Sequence, residues 1–146
     1  MANYSTDADL IVIRPQILSY GVTDWTDHHD RAKVIIDRIL EQRWYRPEAT
    51  DRGLLYEDTP YDADLLDADQ VKYLSCYKTL ELIFAALMKP GPEPDGFERQ
   101  MLFFRDEFDK ELQSILTLGV NYDWDDDGEY AEDERIISIR RRLKRT

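Results

Sequence analysis

Residues 26–46, TDHHDRAKVIIDRILEQRWYR, decide the fold class. Ala32, Ile35, Ile36, Ile39, Leu40 and Trp44 fall at i, i+3, i+4, i+7, i+8 and i+12, one apolar stripe on a 3.6-residue period. Asp24 or Thr26 can cap the start, because a short polar side chain accepts from the free amides of a first turn. Pro47 is expected to stop the helix.

Two further helices follow the same logic. Residues 67–88 read as a helix whose second half, LELIFAALM, is apolar almost all round and so belongs in the centre of a fold or between subunits. Residues 97–118 carry a stripe of Phe97, Met101, Phe104, Phe108, Leu112 and Ile115, with Gly119 as a left-handed stop. Pro90, Pro92 and Pro94 with Gly91 and Gly96 break the chain between them. A short helix over 5–13 opens the sequence, with Ser5 or Thr6 as its cap, and Leu10, Ile13 and Leu18 are expected in the core. A short last helix is expected from Ala131. The long acidic stretch 47–66 reads as a loop of roughly twenty residues, unusual in a compact domain unless it has a task, although Tyr56 and Tyr61 could pack it down. The fold class is therefore mainly α: a helical bundle of three long helices plus short N- and C-terminal helices. By residue, 1–120 is a helical body, 121–134 an acidic loop and 135–146 a basic arm.

Composition sets outer limits. The 146 residues suit one domain, and 42% hydrophobic content supplies a core. Thirty-one acids against 19 bases give a net charge of −12, which argues against binding phosphate by bulk charge. No stretch approaches the roughly 18 apolar residues of a membrane span, so no membrane is expected. The opening MANYS has neither the basic flank nor the apolar run of a signal peptide. One cysteine, Cys76, fits a reducing compartment.

The charge is not evenly spread. Residues 121–134, NYDWDDDGEYAEDE, hold eight acids and no base, and 135–146, RIISIRRRLKRT, hold six bases and no acid. Bases near a helix end suit its dipole, but six exceed what that explains. Ile136, Ile139 and Leu143 form a thin apolar line among Arg140, Arg141, Arg142, Lys144 and Arg145, a pattern suited to docking in an acidic groove of another protein or of a neighbouring copy of this one. A solvated helix end and contact with nucleic acid are the competing readings.

The acidic block also fits the calcium-loop pattern D-x-D-x-D-G-x5-E. Asp123, Asp125 and Asp127 would point carboxylates inward, Glu129 would offer its carbonyl, and Glu134 could chelate with both oxygens. Gly128 would permit the bend. Calcium or magnesium is the ion such oxygen donors suit, and a solvated acidic turn capping the last helix through Asp133 or Glu134 is the plainer alternative.

No catalytic constellation is legible. His28 and His29 are neighbours, about 100° apart on a helix, and are expected at the surface near a cap. Cys76 reads as a small core residue. No phosphate loop, nucleophile elbow or spaced zinc set occurs, so no enzyme is expected.

Several segments together resemble the small helical head–tail connector, or adaptor, proteins of tailed bacteriophages. They are YSTDADL at 4–10 with IRPQIL at 13–18, the Asp24-Trp25 start of the helix reaching Trp44, Phe97-Glu98-Arg99, the YDWDDDG turn at 122–128 and the Arg-rich end. The resemblance implies a virion protein, assembled in the host cytoplasm. It would form a ring, a dodecamer, between the portal protein and a tail-side neck or stopper protein, with DNA passing through unbound. It further implies that 136–145 docks on the portal. An acidic DNA-mimic inhibitor and a calcium-binding interaction module are the alternatives.

Overall fold

The computed structural model describes residues 3–89, 91–92 and 95–130. The chain is mainly helical: α1 (Asp7–Ile13), α2 (Thr26–Leu40), α3 (Arg46–Asp51), α4 (Ala68–Leu87) and α5 (Gly96–Leu118). Short 3-10 turns lie at Ile17–Ser19 and Ala63–Leu65, and a π turn at Glu41–Tyr45. The expected last helix and the basic arm at 135–146 lie outside the described residues.

Acidic side chains start these helices. The Thr6 amide and hydroxyl both donate to Asp9 Oδ2, at 2.9 and 3.1 Å. Asp24 Oδ1 accepts the Thr26 amide at 3.1 Å ahead of α2. Asp95 accepts the Glu98 amide at 2.7 Å and the Lys89 amide at 2.9 Å, tying the start of α5 to the end of the preceding segment. The amide of Thr26 holds the Asp24 carboxyl below its ordinary value of 3.8, and the amides of Lys89 and Glu98 do the same for Asp95. A carboxyl whose folded pKa is depressed adds stability that is fully present above its unfolded pKa and is lost as pH falls through the folded one. Acid unfolding followed by circular dichroism should therefore show stability flat above about pH 5 and falling below about pH 4. In D24N/D95N that slope should be shallower.

Two expectations near Pro47 need correcting. The helical path does not stop there. It runs from α2 through the π turn into α3, with the Arg46 amide donating to the Glu41 carbonyl across the junction, and Pro47 sits in the first turn of α3. The acidic stretch is accordingly a shorter loop, and its tyrosines do pack it down. The Tyr56 hydroxyl donates to Glu41 Oε1 at 2.6 Å and the Tyr61 hydroxyl to Asp37 Oδ1 at 3.1 Å.

The structure divides into two compact units. The first comprises Met1–Ile36 and Val71–Leu112. Its core joins Leu10, Ile17, Trp25, Cys76, Leu80, Ile83, Phe84, Met101 and Phe104. Phe84 stacks on Phe104 at 5.9 Å, and the Trp25 indole donates to the Ile17 carbonyl at 2.9 Å. Ile17 is the buried residue of its 3-10 turn; Leu18, expected inside, is 36% exposed. Cys76 is a core residue as expected, and burial above all pushes its thiol up to about 12. Glu81, also buried, is held by Lys78 at 2.8 Å and Arg105 at 3.3 Å, the pairing a buried carboxylate needs.

The second unit comprises Asp37–Gln70 and Gln113–Thr146. α5 ends on Gly119, at φ 106°, whose amide donates to the Ile115 carbonyl at 3.0 Å. Beyond it, Tyr122 forms an isolated antiparallel bridge with Leu66. The Gln70 side chain donates to the Gly119 carbonyl at 2.9 Å and accepts the Asn121 amide at 2.7 Å.

Candidate functional site

The segment after the bridge carries the calcium-loop pattern, and its start is fixed by backbone. The Asp123 amide donates to the Leu65 carbonyl at 2.9 Å, which places Asp123 at the inner end of the loop, where it is buried. Oxygens of Asp123, Asp125 and Asp127 then lie within 4.8 Å of one another. Asp125 and Asp127 are exposed.

The bend is made by Asp123 itself. Its carboxylate accepts the Asp127 amide at 3.1 Å and the Gly128 amide at 2.8 Å. Asp127 repeats the motif by accepting the Glu129 amide at 2.9 Å. Asp126, at φ 55°, and Gly128, at φ 86°, both take left-handed conformations, which glycine adopts without the Cβ clash of other residues. Burial pushes the Asp123 carboxyl up, but the Gly128 and Asp127 amides and its neighbours Asp125 and Asp127 outweigh this and hold it below the ordinary value.

Chemically, three clustered carboxylates are hard oxygen donors suited to calcium or magnesium. Calcium takes about six to eight oxygens, more than these three side chains supply. Glu129 is exposed, and Glu134, the expected chelating residue, lies outside the described residues. The arrangement brings together three of the five expected ligands.

What the sequence did not reveal is the aromatic floor beneath the loop. Trp124, between two of the acids, stacks on Tyr45 at 5.3 Å with ring planes 10° apart. It meets Tyr122 edge-on at 4.7 Å and Trp44 at 5.7 Å. The Arg52 guanidinium covers the indole at 4.4 Å. The tyrosyl hydroxyl of Tyr45 donates to the Thr59 carbonyl, so one ring ties α-helical chain, loop and acidic turn together.

The first unit holds a second polar cluster. His29, expected at the surface, is 2% exposed, because it lies on the buried stripe three residues before Ala32. Its Nε2 is 3.1 Å from Asp7 Oδ1 and its Nδ1 2.7 Å from Ser5 Oγ, which is in turn 2.7 Å from Ser75 Oγ. A carboxylate only accepts, so Nε2 donates to Asp7, and Nδ1 shares a hydrogen bond with the Ser5 hydroxyl. Carboxylate, imidazole and hydroxyl in line are the connectivity of a nucleophilic relay. Here Ser5 is 2% exposed, and its hydroxyl joins the chain's first residues to α2 and α4.

No family model, curated protein or solved structure matches this chain. The expected docking residues, Ile136, Ile139, Arg140, Arg141, Arg142, Leu143, Lys144 and Arg145, lie outside the described residues. Among the described residues, no helix is long and apolar enough to cross a membrane.

Proposed function

We propose that this chain is a structural subunit of a tailed-phage particle: a head–tail connector whose copies form a ring between the portal and a tail-side neck or stopper protein. One observation carries the reading, the sorting of charge along the chain. Before residue 135 there are 31 acids and 13 bases; from 135 on there are six bases and no acid. An acidic ring wall releases no counterions to a passing duplex and so does not hold it. The basic arm with its thin apolar line supplies opposite charge for orienting the subunit on its partner. The resemblance set out above and the mainly helical fold support the same reading. The particle would be assembled in the host cytoplasm, with this protein in its neck.

The test mixes purified portal with the full chain and with a chain lacking 136–146. The full chain should add to portal in several copies by light scattering. Truncation should weaken association about tenfold or more with helicity unchanged. Equal association of both chains overturns the docking role.

The cluster of Asp123, Asp125 and Asp127 favours one second reading, a calcium-binding interaction module. Calcium calorimetry of the same samples decides it. Heat that disappears in D125N supports the module, and absence of heat refutes it.

A further inference from the structure

Charge is divided unequally between the two units. Residues 1–36 and 71–112 hold 13 acids and nine bases, whereas 37–70 and 113–130 hold 15 acids and four bases. Inside the second unit one stretch is neutral: residues 113–122 carry no charge, in a chain that is 34% charged. Ser114, Thr117 and Leu118 are exposed on it, Leu118 at 72%. Acids border this strip. The Asp67 amide donates to the Asn121 carbonyl at 3.0 Å, and the Asn121 side chain donates back to Asp67 Oδ2 at 3.0 Å. Tyr130, where the described residues end, lies beside the same acids: burial first, then the charges of Asp67, Asp123 and Asp69, push its phenol up.

Sixteen residues follow Tyr130, and they hold the basic arm. Ile136 is six residues on, a reach of at most about 20 Å. We propose that in the free subunit this face holds the arm of its own chain, with Ile136, Ile139 and Leu143 against Leu118 and the bases towards Asp69 and its neighbours. This rests on the connector reading, which gives the arm two places used in turn: its own acidic unit before assembly and the portal after it. Opposite charge selects the occupant, since the neutral strip alone would accept any apolar segment. Asp67 and Asp123 already accept the chain's own donors, so they act through their field, and the exposed Asp69 supplies the direct pairing. A tether this short gives an effective concentration of about millimolar, so a weak contact is enough to close. Closing has a use. A loose segment of six bases binds nucleic acid without specificity, and covering it keeps the arm for the portal.

Trypsin digestion of the full chain without portal tests this, with cuts after Arg140 to Arg145 followed by mass spectrometry. Where opening and closing are fast, cutting tracks the open fraction. The arm should be cut at least about tenfold more slowly than a synthetic peptide of residues 135–146. Leu118→Lys and Asp69→Lys, both at exposed positions that leave the fold intact, should each speed cutting about threefold or more. Together they should approach the peptide. None of these rates should change with protein concentration. Portal affinity of L118K/D69K should rise by the factor that its cutting rises, because the competing closed state is gone. Cutting of the parent at the peptide's rate overturns the contact, and unchanged cutting of L118K/D69K overturns its location. Protection that grows with concentration overturns docking within one chain and gives the arm to a neighbouring copy. Intact protection without any portal association refutes the connector reading alone.

Discussion

Tyr45→Ala is expected to destabilise the protein by about 4 kcal/mol, the loss typical of a large aromatic removed from a closed core. Tyr45 has no exposed surface, and its ring touches Trp44, Tyr56, Tyr61, Tyr122 and Trp124. Truncation leaves a cavity that five rigid rings cannot close by a rotamer change. It also leaves the Thr59 carbonyl without its tyrosyl donor. Small domains are stable by about 5–15 kcal/mol, so much of the total is at stake. In thermal unfolding the midpoint should fall by roughly 10–15 °C. Tyr45→Phe keeps the ring and should cost only about 1 kcal/mol, the net value of one hydrogen bond. If alanine costs no more than phenylalanine, the ring packing is not what holds the acidic turn.

His29→Ala should cost about 3 kcal/mol by urea denaturation, for a different reason. The imidazole is the middle link of a chain from Asp7 to Ser75. Its removal leaves the Ser5 hydroxyl and the Asp7 carboxylate each short of one partner, and Asp7 also accepts the Trp25 amide at 3.3 Å. The loss should concentrate on the chain's first residues. Hydrogen exchange should quicken at α1 while the amides of α5 stay protected. Ser5→Ala removes one link from the same chain and should cost less, about 1 kcal/mol. A His29→Ala protein as stable as the parent would show that the buried polar chain contributes nothing net.

The periodic parts of this fold were legible in the residues. Stripes such as Ala32–Ile36–Leu40 and Met101–Phe104–Phe108 need only a count of positions, and Gly119 announced the end of α5. Pro47 misled because a proline ends one helix and begins another with equal ease; only the π turn before it decides which. Leu18 and Ile17 exchanged places because a 3-10 turn changes the facing of each residue. His29 sat on the apolar stripe, so its burial could have been read from position. Its partners Ser5 and Asp7 lie more than twenty residues away, and no local pattern marks that meeting. At the acidic loop the spacing of Asp123, Asp125 and Asp127 foretold their convergence. The role of Trp124 was hidden, since the aromatic rings beneath it come from separate segments.

The paired contacts of Gln70 have a consequence for how a short stretch of backbone is kept satisfied. The bridge between Leu66 and Tyr122 is a fragment of sheet, and a fragment of sheet with open edges can recruit a foreign strand. A carboxamide offers the same donor and acceptor as a peptide unit. By engaging the Gly119 carbonyl and the Asn121 amide, Gln70 continues the pairing on the side that faces Leu66, where the partner segment has turned into α4 and its own backbone no longer reaches.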